Sequence, residues 1–440
     1  MNLLTEKISK LYIKYILPSV VGSLAYGVLI FIDTVFIGQG IGVEGIAALN
    51  IAIPVFSLTA FGMLLGIGGA TASSIDLGRK DFNKRDAVFT LSVTIGVVLS
   101  IIFTIFLYIY LDEITMLLGA RENIFSLSRE YIAVISFSII FYIMPHILNN
   151  FIKNDNNPRL PMIFFLIVSV ANIILDYIFI FVFKWGMFGA AFATSIAQGL
   201  GTLTLLTHFK KPTSTLKFRL ETLNLGLLPR IVSIGLSCFM TEIALGSVLV
   251  ITNHQIYKYL GNNGVSAYGI IYNVNLLLYL VFSGIALGAQ PLISTNFGAS
   301  QFKRIRETLI LGLKSVIILS VLFFIVMIKF TKPLIHLFNS DNLEVINITA
   351  QGFPMFFMAL FFLGINLKMN YFFQAIESPK LANMLTFLRS VVFIIFFLMI
   401  IPAVLGAKFI WLSFFFSELL TFFVGLYFYK KIYKIKILKR

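Results

Sequence analysis

The chain has 440 residues, of which 59% are hydrophobic and only 12% are charged, with a formal net charge of +15. That charged fraction is about half the value of an ordinary soluble domain, too low to cover a water-facing surface. The composition therefore excludes a soluble globular protein and predicts that lipid is the main solvent. Cys238 is the single cysteine, which excludes an internal disulfide.

Long apolar runs follow one another along the whole chain. Runs of about 20 residues can cross a bilayer, where helices satisfy their own backbone hydrogen bonds. The first run is too long for a cleavable signal peptide and carries Asp33, so we interpret it as the first membrane helix. The predicted helices span roughly 15–38, 46–76, 87–110, 131–152, 161–183, 187–208, 228–256, 265–296, 308–330, 350–375, 382–403 and 407–429.

Basic residues concentrate on one side of this predicted topology. Examples are Arg79, Lys80, Lys84, Arg85, Lys210, Lys211, Lys303, Arg304, Lys380, Lys434, Lys436, Lys439 and Arg440. The positive-inside rule then places both termini in the cytoplasm. We expect the chain to lie in the inner (cytoplasmic) membrane of the cell. The net charge is therefore explained by topology, and we expect no binding of nucleic acid.

The two halves of the chain resemble each other at an offset of about 220 residues. Glycines and loop motifs stay in register: Gly42 with Gly261, residues 78–82 with 298–302, residues 157–160 with 378–381, and Gly186 with Gly406. Six helices in each half make the repeats parallel. We therefore predict an all-α integral membrane protein with twelve transmembrane helices in two six-helix repeats around a central cavity. The predicted lobes are residues 1–208 and 228–440, joined by a cytoplasmic linker at 209–227.

Four polar residues of the N-terminal half fall at one depth in the membrane. Asp33 lies 19 residues beyond Lys14 on helix 1, or roughly 28 Å along the helix, and Asp176 lies roughly 25 Å from the same edge on helix 5. Asn172 lies one turn below Asp176, and Thr194 reaches a similar depth on helix 6. Ionisable groups at such depth are costly and are candidates for function.

These four side chains offer only oxygen ligands and amide or hydroxyl donors. Two carboxylates in a low dielectric do not easily ionise together, so a proton or a cation such as Na⁺ is expected between them. The alternative is structural, with Asp33 capping a local break and Asp176 bonding to it or to a neighbouring helix. At the matching positions of the C-terminal repeat, Thr252 replaces Asp33 and an apolar run replaces Asp176. Structural capping should be needed in both repeats, so acids in only one of them favour a functional role.

Two further charged residues lie near the midplane of the C-terminal half. Glu242 on helix 7 and Lys368 on helix 10 are opposite in sign and similar in depth, so they could pair structurally. Glu242 could instead attract a cationic substrate or bind a proton, and Lys368 could extend toward the cytoplasm. Pro18 and Gly22 interrupt helix 1 and indicate either a mobile bend or the start of the helix.

Several of these motifs resemble the multidrug and toxic compound extrusion (MATE) family. The matching residues are Leu17-Pro18, Phe31 to Gly38 around Asp33, Asn172 with Asp176, Trp185 to Thr194 and Gly288 to Pro291. The resemblance implies export of lipophilic, often cationic drugs in exchange for H⁺ or Na⁺. It implies a cation site at Asp33, Asn172, Asp176 and Thr194, a helix 1 that bends at Pro18, and coupling at Glu242 in some members. Those members also carry an aspartate on helix 10, where this chain has Lys368 among amides.

Other functions remain as alternatives to antiport. The same superfamily includes flippases of lipid-linked or polyisoprenoid substrates, and a receptor or scaffold would be a different class. No nucleophile motif, metal-binding motif or phosphate-binding loop occurs in the sequence, so we expect neither an enzyme nor a resident cofactor. The expected partners are small organic cations and membrane lipid, and the expected oligomeric state is a monomer.

Overall fold

A computed structural model describes residues 2–212, 214–338 and 342–432. Helices account for nearly all of these residues, and the described ranges contain no strand. The predicted all-α membrane fold is therefore confirmed. Thr213 of the predicted linker and the basic residues Lys434, Lys436, Lys439 and Arg440 lie outside the described residues.

Nine helices form the N-terminal half of the described chain. They are α1 (Ile8–Gly40), α2 (Val43–Phe56), α3 (Thr59–Gly78), α4 (Phe82–Ile109), α5 (Leu111–Leu117), α6 (Glu122–Ser138), α7 (Ile140–Asn154), α8 (Arg159–Asp176) and α9 (Gly186–Leu206). The fourth predicted span is the pair α6 and α7, bent by 46°. The apolar runs predicted neither this bend nor the short helix α5.

Eight helices form the C-terminal half. They are α10 (Leu228–Gly298), α11 (Phe302–Lys329), α12 (Thr331–Phe338), α13 (Leu343–Phe357), α14 (Leu360–Ala375), α15 (Pro379–Phe387), α16 (Ile394–Leu405) and α17 (Leu412–Ile432). Gly261, with φ 63° and ψ −162°, breaks α10 where the sequence predicts a loop between two helices. The described residues hold twelve spans when α10 counts as two and each bent pair as one.

Left-handed backbone positions recur at the repeat offset. The pairs are Gly42 (φ 96°) with Gly261 (φ 63°), Lys80 (φ 64°) with Ser300 (φ 57°), Asn156 (φ 62°) with Glu377 (φ 52°), and Gly186 (φ 56°) with Gly406 (φ 100°). A positive φ is uncommon outside glycine, so positive-φ residues at four matching positions of the two repeats are not expected by chance. The same turns are therefore built twice along the chain.

The chain divides into two compact units. Unit 1 comprises Met1–Glu6 and Leu17–Phe239, and unit 2 comprises Lys7–Ile16 and Met240–Arg440. The predicted linker at 209–227 thus falls within unit 1, and helix α1 passes from unit 2 to unit 1 at Leu17, directly before Pro18. An apolar cluster that includes Ile147 and Phe151 fills part of unit 1. A cluster that includes Phe372 and Leu385 does the same in unit 2.

A buried carboxylate fixes the linker segment within unit 1. Asp155, at the end of α7, accepts hydrogen bonds from His208 Nε2 at 2.9 Å, from the Thr215 backbone N–H at 2.9 Å and from the Thr215 hydroxyl. Arg85 contacts Asp86 and the Thr215 carbonyl. Burial alone would raise the pKa of Asp155, but the hydrogen bonds from His208 and Thr215 outweigh it and lower that pKa.

Candidate functional site

Asp33 and Asp176 lie next to each other in unit 1, at the common depth that residue counting predicts. Asp33 lies on α1 and Asp176 is the last residue of α8, and their carboxyl groups approach each other closely. A π-helical turn over Tyr177–Val182 follows Asp176 directly. Such turns often occur at functional sites, because they displace the side chains from the regular helical register.

Three of the four carboxyl oxygens in this pair are enclosed and make no well-formed hydrogen bond among the described residues. Asp33 Oδ1 and both carboxyl oxygens of Asp176 have no hydrogen-bond partner of good geometry among the described residues. Asp176 is fully buried, and the Asp33 side chain is half-buried. An enclosed carboxylate without a donor is costly, so a proton or a cation at this pair would lower its free energy.

Asn172 and Thr194 extend the same cluster. The Asn172 Nδ2 donates to Thr194 Oγ1 at 3.1 Å, and the Thr194 hydroxyl donates to the Ala190 carbonyl at 3.0 Å. Within the described ranges, the Asn172 Oδ1 accepts no hydrogen bond. Thr194 therefore holds one N–H of the Asn172 amide, while the Asn172 Oδ1 remains an acceptor without a partner among the described residues.

Three residues missed by the sequence argument line the same region. The Tyr131 and Tyr142 side chains are buried and lie within electrostatic range of both Asp33 and Asp176. Ser195 lies next to the Tyr142 hydroxyl and shares a hydrogen bond of 2.7 Å with Ser138. Neutral hydroxyl residues are common in membrane helices, so sequence alone gives little reason to select these.

Pro18 lies well inside a helix. Because α1 begins at Ile8 and continues to Gly40, Pro18 is not the start of the helix. Gly22, one turn further on, allows close packing: a Cβ there would lie 3.0 Å from the Phe165 ring and 3.4 Å from the Met162 backbone. The mobile bend at Pro18 stays a prediction. Gly22 permits α1 to pack closely on α8.

Glu242 and Lys368 do not form the ion pair that the sequence allowed. Lys368 is fully buried, its Nζ has no hydrogen-bond partner in the described part of unit 2, and it packs against Gly312. Its amine is enclosed by protein beside Gly312, and an extension of this side chain to the cytoplasmic surface stays a prediction. Glu242 is half-buried and lies within electrostatic range of Tyr272. Glu242 and Lys368 therefore make no direct contact through their charged groups in the described part of unit 2.

Unit 2 contains an ion pair that the sequence argument missed. Arg389 Nε donates to Glu418 Oε1 at 2.8 Å, with 15% of the Arg389 and 12% of the Glu418 side chain exposed. Arg389 lies in a π-helical turn over Leu388–Phe393, inside the span Pro379–Leu405. Arg389 falls inside the predicted helix 382–403, but its partner Glu418 lies on a different helix, and the sequence gives no spacing that joins the two.

Comparison with known proteins gives consistent matches over the chain. The family model MatE matches residues 18–178 and again residues 238–400. The multidrug export protein MepA of Staphylococcus aureus strain MSSA476 is 27% identical over 88% of this chain and 85% of its own length. MepA of Staphylococcus saprophyticus is also 27% identical, over 86% of this chain and 84% of its own length.

Solved structures show the same fold. An outward-facing multidrug resistance MATE family transporter superposes with a TM-score of 0.93 at 19% identity, covering 99% of this chain and 98% of that one. The double match of the family model agrees with the repeat seen in the backbone. The chain belongs to the MatE family of multidrug efflux transporters.

Proposed function

We propose that this chain exports lipophilic, often cationic organic compounds in exchange for a cation, H⁺ or Na⁺, bound at Asp33 and Asp176. One observation carries the proposal: two carboxyl groups meet inside a membrane helix bundle, and three of their enclosed oxygens make no well-formed hydrogen bond among the described residues. The Asn172 Oδ1 adds a fourth acceptor without a partner among the described residues. A proton or a hard cation supplies the positive charge that this set lacks.

Coupling follows from the cost of the unneutralised acid pair. When the cation leaves, two carboxylates face each other in a low-dielectric environment, and the conformation that holds them together loses stability. A conformational change that separates or hydrates the carboxylates relieves that cost. Binding of the next cation favours the original arrangement, so a cation gradient biases the direction of transport.

Relatives support the substrate class. The staphylococcal relatives are named as multidrug export proteins, which favours drug export over lipid-linked substrates. Glu242 is half-buried near Tyr272 and, in this proposal, attracts organic cations. Both termini face the cytoplasm in this proposal, because basic residues such as Arg79, Lys80 and Lys84 flank the ends of the spans on that side.

The test is efflux of a fluorescent organic cation from proteoliposomes with an imposed pH gradient or, separately, an imposed Na⁺ gradient. We expect one gradient to drive efflux and the Asp33→Asn and Asp176→Asn variants to lose that response. Efflux that responds to neither gradient in the unmodified protein overturns the proposal. An unchanged response in both variants places coupling elsewhere.

A further inference from the structure

Unit 2 contains a cavity that the cation site does not explain. It has a volume of about 150 Å³ and is lined entirely by residues of unit 2, among them Tyr268, Tyr272, Phe414, Arg389 and Glu418. An apolar protein cavity of about this size can hold a benzene ring. The space therefore matches a single aromatic ring or the ring portion of a larger compound.

The apolar wall is built from stacked and tilted rings. Tyr268 lies over Phe414 at a centroid distance of 5.9 Å with an interplanar angle of 24°, and Phe356 contacts Phe414 at 4.4 Å. Tyr272 continues the series at 5.9 Å from Tyr268. An aromatic ligand would extend this series, because ring pairs at such distances add to the free energy of apolar burial.

The ion pair of Arg389 and Glu418 forms the charged part of the cavity wall. Both carboxylate oxygens of Glu418 are engaged, since Oε1 accepts from Arg389 Nε at 2.8 Å and Oε2 accepts from Asn366 Nδ2 at 2.7 Å. Across the described residues, the Arg389 guanidinium donates only that one hydrogen bond, from Nε. Arg389 is part of the cavity wall, and its terminal N–H groups make no hydrogen bond among the described residues.

The charge of the pair selects the polar group of the ligand. Arg389 and Glu418 neutralise each other, so a second full negative charge would be poorly compensated in this membrane interior. A neutral carbonyl accepts from the guanidinium without adding charge. The geometry points to a second ligand site in unit 2 that binds aromatic rings carrying a neutral carbonyl group, with Arg389 as the donor.

The test uses two probes of the same shape. We would compare 4-fluoroacetophenone with 4-fluoro-isopropylbenzene by fluorine NMR in lipid nanodiscs, with protein-free nanodiscs as the partition blank. The expected preference for the ketone is about tenfold, the effect of one hydrogen bond to a charged donor. Equal affinity of the two probes in the unmodified protein overturns the inference.

The variants separate loss of the donor from loss of the fold. The Arg389→Met change alone leaves Glu418 as a buried unpaired charge, so the informative variant is Arg389→Met with Glu418→Gln. In this double variant the ketone preference should disappear, while Arg129→Met, at the ion pair with Asp112 in unit 1, should leave it unchanged. Ala244→Leu, which fills the cavity, should remove binding of both probes.

A ketone preference that persists in the folded double variant overturns the inference. The probes need no ion gradient, so this result is independent of the coupling proposal. If the probes do not bind but a gradient still drives efflux, only the ligand site in unit 2 is refuted. If the probes bind but no gradient drives efflux, only the coupling proposal is refuted.

Discussion

The Asn172 amide donates to the Thr194 hydroxyl at 3.1 Å, across the interface of α8 and α9, while the amide oxygen keeps no partner among the described residues. This bond holds the Asn172 amide in one orientation, one helical turn from Asp176. Because Thr194 also donates to the Ala190 carbonyl, its hydroxyl is committed on both sides. Thr194 is therefore expected to act by orienting Asn172.

The Thr194→Val change removes this orientation with little change of shape. We expect cation affinity, measured as the concentration that half-maximally drives efflux, to weaken about tenfold, since the buried Asn172 donor loses its partner at a cost of about 1–3 kcal/mol. Thr204→Val on the same helix is the control, because Thr204 is half-buried and its hydroxyl donates to the Leu200 carbonyl one turn back along the helix. Equal cation affinity in both variants would show that Asn172 does not depend on Thr194.

Pro18 marks the position where α1 passes from unit 2 to unit 1. The Pro18→Ala change restores a backbone N–H and removes the clash with the preceding turn, so it should favour a straight α1. We expect a several-fold lower turnover in proteoliposomes with substrate affinity retained. Pro145→Ala in α7 is the matched control inside another bundle helix. If both variants transport at the unmodified rate, α1 need not bend during transport.

Asp155 makes linker attachment sensitive to acid. Its pKa is lowered from an ordinary value of 3.8, so the stability that its charge contributes is present above that value and is lost as the pH falls through the lowered pKa. We expect Asp155→Asn to lower the melting temperature at pH 7, with a loss of about 1–3 kcal/mol. The gap to the unmodified protein should persist to about pH 4 and close below it.

Intrinsic fluorescence of Trp185 and Trp411 during heating can follow this unfolding. Asp112→Asn is the control, because Asp112 pairs with Arg129 at an exposed site and should contribute little. A gap between Asp155→Asn and the unmodified protein that narrows well above pH 4 would contradict the assignment to the Asp155 charge.

The sequence predicts the N-terminal acid cluster well because helical rise converts residue counts into depth. Asp33, Asn172, Asp176 and Thr194 were placed at one level by counting, and the structure brings them together. Depth alone does not give the direction in which a side chain points. The pairing of Glu242 with Lys368 failed for this reason, since Lys368 is turned toward Gly312.

The Arg389–Glu418 pair was missed for a different reason. Hydropathy marks the apolar part of a helix, and the helix that contains Arg389 starts with the polar residues Lys380 and Asn383. Arg389 lies ten residues into the span Pro379–Leu405, where hydropathy alone does not reveal a charged partner on another helix. Its opposite charge to Glu418, on the following helix, was the available signal.

The central claim is that Asp33 and Asp176 together hold the exchanged cation. The most direct measurement adds a transported organic cation to the purified protein in weakly buffered solution and records proton release, with ²²Na⁺ displacement measured in parallel. We predict release of H⁺ or Na⁺ on substrate binding in the unmodified protein and no release in Asp33→Asn or Asp176→Asn, with substrate still bound. Undiminished release from both variants would contradict the account.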